Sequence, residues 1–127
     1  LRGLPRVTQL VVGRQNLNLR GMDAHTLWLD FAALCQQPLA SRDYLALCQR
    51  FPRIVVSALP ALAGCSLDEQ QRLVNFIDIA YDHGTELWLQ SEVPLEVLCA
   101  GVGHGDFPRT RSRLAQLRAE TLERLAC

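Results

Sequence analysis

Between Ile54 and Gln90 the chain spells strand, helix, strand, and that order narrows the available folds more than any other feature. Ile54-Val-Val-Ser-Ala58 is a short apolar run of the kind that is buried on both faces of a sheet. Ser66 and Glu69 make a capping-box pattern. The serine hydroxyl accepts a backbone N–H three residues on, and the glutamate reaches back to the serine N–H. Leu73, Phe76, Ile77 and Ala80 recur behind it at helical spacing, and Gly84 offers a left-handed stop. The spacing predicts a helix over 67–83. Thr85-Glu-Leu-Trp-Leu-Gln90 follows as another strand. Neighbouring strands joined through a helix run parallel with a right-handed crossover, so the class is α/β with a βαβ unit over 54–90.

The flanks are read against that unit. Residues 7–12, the alternating Leu17 and Leu19, and Thr26 to Phe31 are β-prone, and they predict an antiparallel ribbon over 1–31. Leu27, Trp28 and Leu29 suggest burial of the last of these runs. Ser41 is the expected N-cap of a helix over 42–50, which Pro52 stops. Pro60 to Cys65 reads as a loop, and Pro94 as the start of a short helix reaching Cys99. Gly101, Gly103 and Gly105 surround His104 in a flexible loop. Pro108 opens a last helix in which Leu114, Leu117, Thr121 and Leu125 share one face. No linker divides the chain. The expected organisation is a single unit over 1–127: ribbon 1–31, α/β core 32–100 and C-terminal helix 106–127.

Composition closes several functional classes. All thirteen basic residues are arginine. Without lysine there is no G-x-x-x-x-G-K-[ST] phosphate loop and no Schiff-base lysine. Thirteen acidic residues balance the arginines, which leaves no electrostatic footprint for nucleic acid. No apolar run approaches the ~20 residues of a membrane span, and no signal peptide heads the chain. Five cysteines, an odd number without a C-x-x-C pair, read as reduced cytosolic thiols, several of them small buried hydrophobes. His25, His83 and His104 lack zinc-ligand spacing, and no serine sits in a G-x-S-x-G elbow. A Cys65–His83 pairing is left open by the sequence. Ser57 and Ser91 end apolar strands, as strand closures or as polar sensors.

Three stretches carry a resemblance: Phe31-Ala-Ala-Leu34-Cys35 running into Arg42-Asp43-Tyr44-Leu45-Ala46-Leu47; Arg72 to Asp78 with Tyr81-Asp82; and Arg109-Thr110-Arg111-Ser112-Arg113-Leu114. In this order and at these gaps the chain resembles the C-terminal part of the AFG-like P-loop ATPases, the ZapE type. The resemblance spans roughly residues 10–120 in scattered identities. It departs at Leu73, where the family has phenylalanine, and at Gln116 and Leu117, where it has an acidic residue and methionine. Ser91 to Pro94 stands where the family has Ser-Ala-x-x-Pro. The resemblance implies a partial P-loop-type three-layer fold with a mixed sheet, inside a parent that hydrolyses ATP with magnesium. It implies no cofactor for this chain alone. Implied partners are the remainder of the ATPase domain, further copies in a homo-oligomer and a cell-division protein, in the cytoplasm. Arg72 and Arg113 then become candidates for a trans arginine or a sensor, and Arg109 for nucleotide contact. The competing reading is a stand-alone, non-enzymatic α/β interaction module.

Overall fold

The computed structural model describes residues 9–91, together with 93, 94, 97, 98, 100, 108, 110 and 112. In chain order it has β1 (Gln9–Val12), β2 (Gln15–Asn18), β3 (Gly21–Met22) and β4 (Thr26–Asp30), then α1 (Phe31–Cys35) and α2 (Ser41–Arg50). β5 (Arg53–Leu59), a 3₁₀ turn at Leu62–Gly64, α3 (Leu67–His83) and β6 (Glu86–Ser91) complete the described elements.

Leucine and β-branched residues at alternate positions build the centre. β4, β5 and β6 pair in parallel with Leu27, Ile54 and Leu87 in one row and Leu29, Val56 and Leu89 in another. Alternation puts both rows on one face, where they join a single buried cluster with Phe31, Leu34, Leu47, Leu73, Phe76 and Ile77 from the helices. Each such side chain contributes about 1.5–3 kcal/mol on burial. β3 adds to β4 antiparallel, so the sheet β3-β4-β5-β6 is mixed and the α/β class stands. Both crossovers step the same way across the sheet, which places α1, α2 and α3 over the same face, with α3 packed on α1 and α2.

α3 occupies the predicted 67–83. Ser66 Oγ accepts the Glu69 N–H at 3.1 Å, Glu69 Oε1 accepts the Ser66 N–H at 2.9 Å, and Gly84 ends the helix at φ +74°. Four local expectations change. The stretch 9–30 is not one ribbon: β1 pairs with β2, whereas β4 belongs to the main sheet because its apolar face needs the same helices as β5. Phe31 starts α1 instead of ending a strand. Ser41 is already inside α2. Ala40 takes the cap position, where its N–H is held by Asp43 Oδ2 at 2.8 Å. The loop 60–65 contains the 3₁₀ turn. The short helix expected from Pro94 is described at Val97 and Leu98, where the Leu98 N–H donates to the Pro94 carbonyl at 2.8 Å; Cys99 lies outside the described residues.

The β1–β2 hairpin packs on α1 and α2 and drops Leu17 into the core. Its two-residue turn needs φ +57° at Gly13. A Cβ there would stand 2.9 Å from Asp43 Oδ1, so glycine answers both the dihedral and the space.

Candidate functional site

Ligands of open α/β sheets collect at the carboxyl ends of the parallel strands. Here β4 runs directly into α1, and β5 leads through the 3₁₀ turn to the start of α3, so both connections gather at that end. A five-residue helix such as α1 leaves its last carbonyls without intrahelical partners. Side chains from two other helices take them. Tyr44 Oη of α2 donates to the Leu34 carbonyl at 2.9 Å, and Arg72 Nη1 of α3 donates to the Cys35 carbonyl at 3.0 Å. The cationic guanidinium also suits the negative end of α1. Tyr44 is fully buried with its ring edge-on to Phe76 at 5.7 Å. Leu34-Cys35, Asp43-Tyr44 and Arg72, distant in sequence, therefore meet at one corner.

The electrostatics of this corner favour fixed donors over nucleophiles. Burial pushes the Cys35 thiol and the Tyr44 hydroxyl well up, with the Arg72 charge opposing both shifts. Tyr44 stays a donor, and Cys35 stays an unreactive thiol. Burial also raises Cys65, aided by the Glu69 charge. The Ser66 N–H bond holds the Glu69 carboxyl below its usual range, with Arg72 adding a smaller pull. Arg72 is half-buried, on the shoulder of the polar face that its spacing indicated.

Along the same end, Ser57 Oγ accepts the Trp28 indole N–H at 2.5 Å and is buried. Ser91 Oγ donates to the Leu59 carbonyl at 3.2 Å and accepts the Val93 N–H at 3.1 Å, tying β6 to β5. Between these serines β5 is irregular. Ala58 has φ +57°, and the β5–β6 register shifts between Val56 and Leu59. A left-handed alanine costs on the order of 1–2 kcal/mol. Arg20 pairs with Asp30 at 2.5 Å on the β4 side.

Arg109 and Arg113 lie outside the described residues, as do His104, Cys99 and Cys127. Of their motif, Thr110 is described and is 0% exposed. Cys65 and His83 flank opposite ends of α3, about 25 Å of helix apart, which removes a thiol–imidazole pair. Cys35 and Cys48 are buried and Cys65 is half-buried. Among the described residues no group of three His, Cys, Asp or Glu side chains is arranged to hold a metal ion. No described helix is long and apolar enough to cross a membrane.

At the amino ends of the same strands a shallow depression of about 380 Å³ is lined by Asp23, His25, Thr26, Pro52, Arg53 and Glu86. Arg53 pairs with Glu86 at 2.5 Å and lies 5.2 Å over the Trp88 ring, and the Trp88 indole N–H donates to Glu86 Oε2. Asp23 Oδ1 accepts the His25 and Thr26 N–H groups, which holds its carboxyl below the usual range. Sequence reasoning missed this depression. Asp23 three residues before a strand signals a local turn, but only strand register brings Thr26, Arg53 and Glu86 together.

Parallel strands, helical crossovers on one face and a polar corner at the strand carboxyl ends define an α/β protein of partial P-loop type. The family model for AFG1-like ATPases matches residues 4–125, and the chain belongs to that family. Cell division protein ZapE of Escherichia coli K12 is 27% identical over 112 residues, 87% of this chain and 30% of ZapE. An uncharacterized protein of Schizosaccharomyces pombe is 41% identical over 69 residues, 54% of this chain and 15% of that protein. Lactation elevated protein 1 homolog B of Danio rerio is 31% identical over 88 residues, 68% of this chain and 18% of that protein. The chain thus spans 15–30% of the length of these relatives. No solved structure matches the chain significantly.

Proposed function

We propose that this chain is a segment of an oligomeric, cytoplasmic ATPase that couples ATP hydrolysis to cell division or protein quality control, and that the segment is not catalytic alone. The observation that carries this reading is the family match over 4–125 in a chain without lysine, which spans under a third of the length of its relatives such as ZapE. The residues present do not fit Mg-ATP as a bound cofactor: no phosphate loop is encoded, and no described cluster suits a metal. Phosphate and metal binding fall to the remainder of the parent.

The role left to this segment is to complete the sheet and to supply arginine. Arg72 is the candidate with a fixed anchor, since Cys35 holds one nitrogen of a group that carries five N–H donors. An arginine offered across a subunit boundary offsets charge on a phosphate of the neighbouring subunit. Arg113 is the second candidate, and Arg109 the candidate for nucleotide contact. In the complete parent, Arg72→Ala and Arg113→Ala are expected to lower kcat more than they weaken ATP binding. Unchanged turnover in both would make the arginines structural and favour the interaction module. The cell-division link takes its support from ZapE, and its test is division-site recruitment of the tagged parent.

A further inference from the structure

The end of α1 is held at three consecutive residues, and from two other helices. Tyr44 Oη of α2 donates to the Leu34 carbonyl at 2.9 Å, and Arg72 Nη1 of α3 donates to the Cys35 carbonyl at 3.0 Å. The Gln36 side chain approaches the carboxylate of Glu69, which lies one turn before Arg72 on α3. Glu69 is itself fixed by the capping box, through the Ser66 N–H at 2.9 Å. A helix of five residues cannot aim its last carbonyls by its own ladder. The Gln36 N–H closes it on the Ala32 carbonyl at 3.0 Å, short of Leu34 and Cys35. The direction of the Cys35 carbonyl is therefore set by what grips its neighbours.

Tyr44 is built to set it. The Leu34 carbonyl and the Cys35 N–H share one planar peptide, so the tyrosine bond fixes that plane. Only the two backbone dihedrals of Cys35 separate it from the carbonyl that Arg72 meets. The tyrosine ring has no room to swing. It is 0% exposed and stands edge-on to Phe76 at 5.7 Å, and burial keeps its hydroxyl protonated. Phe76 lies one turn beyond Arg72 on the same helix. One side chain thus registers α1, through its hydroxyl, against the helix that carries the arginine, through its ring. Arg72 is engaged only in part. Nη1 is on Cys35, and among the described residues no carboxylate forms an ion pair with the guanidinium. Because the group is planar, anchoring one nitrogen orients the N–H donors that remain. We propose that Tyr44 is a positioning residue for Arg72: it aims the carbonyl that sets the guanidinium plane, and so the direction in which the other N–H groups meet a phosphate oxygen. The proposal rests on the reading of Arg72 as an arginine acting on the nucleotide of a neighbouring subunit.

Steady-state ATP hydrolysis by the complete parent tests this in four proteins: wild type, Tyr44→Phe, Arg72→Ala and the double variant, each assayed below its melting transition. Tyr44→Phe is expected to lower kcat about tenfold and to leave KM for ATP within about twofold. The double variant is expected to turn over at the rate of Arg72→Ala alone, since an absent arginine cannot be misplaced. Losses that multiply in the double variant would overturn the proposal, because Tyr44 would then act through general stability. Wild-type kcat in Tyr44→Phe beside a slowed Arg72→Ala would also overturn it, while leaving the arginine its role. Wild-type turnover in Arg72→Ala removes that role and the proposal with it. If Tyr44→Phe fails to fold, Phe76→Leu goes through the same cycle, since it keeps the hydroxyl and removes the edge that braces the ring against α3. A severalfold kcat loss that vanishes without Arg72 supports the positioning. Wild-type turnover or a multiplying loss overturns it.

Discussion

The two ends of one parallel sheet are built on different principles. At the amino ends, Thr26, Arg53 and Glu86 lie in regular register, and the polar contacts there are solvent-facing, with both partners of the Arg53–Glu86 pair close to half exposed. At the carboxyl ends the register slips at Ala58, and α1 is held by a buried tyrosine hydroxyl and a half-buried guanidinium. A regular end relies on backbone ladders that any compatible side chain permits. An irregular end relies on particular donors aimed at particular carbonyls, so its residues are replaceable one by one only at a cost. That difference is where family-specific residues are expected to concentrate, and it can be measured.

The largest effect should come from Tyr44→Phe. It keeps the ring against Phe76 but strands the buried Leu34 carbonyl, and about 1–3 kcal/mol of stability should be lost in denaturant titration. A loss near zero would mean that the α1 corner is no more specific than the other end. Ala58→Gly should act in the opposite direction. Relief of a left-handed alanine should raise stability by up to about 1 kcal/mol, read from the thermal midpoint.

The cap of α3 sharpens the comparison through pH. The folded-state value of Glu69 lies below its ordinary 4.5, so its contribution is present above that value and is lost as pH falls through the depressed one. Wild type should exceed Glu69→Gln in denaturation midpoint at pH 7, and the gap should close by pH ~3. No gap at pH 7 would assign the cap to a hydrogen bond that the glutamine amide oxygen accepts equally well. The smallest effect belongs to the amino end. Arg53→Ala should cost under about 1 kcal/mol and shrink further in high salt.

How much of this was legible in sequence varies with how locally each element is specified. Ser66, Glu69 and Gly84 encode both ends of α3 within a few residues of the helix, and α3 was readable to its bounds. α1 has five residues and no periodicity. Its end is held by Tyr44 and Arg72, 10 and 37 residues away, and nothing near Phe31 announces it. The start of α2 was misread by one residue because Asp43 holds the first turn from inside the helix, while a hydroxyl at Ser41 imitates a cap. Strand β4 was visible, but its choice of neighbours was not, since partner choice depends on which face the helices cover. For the site, the resemblance picked out Arg72 without its partner. The Cys35 carbonyl is a backbone group, and backbone acceptors carry no sequence signature.

Gly13 and Asp43 carry one more consequence. A single carboxylate holds the first turn of α2 with one oxygen and limits the hairpin turn with the other. A side chain at Gly13 alone would press on the carboxylate that holds α2, an element distant from it in the chain. Across an alignment of the family the two should therefore covary: a side chain at the position of Gly13 should appear only where the carboxylate at the position of Asp43 has been exchanged for a smaller group.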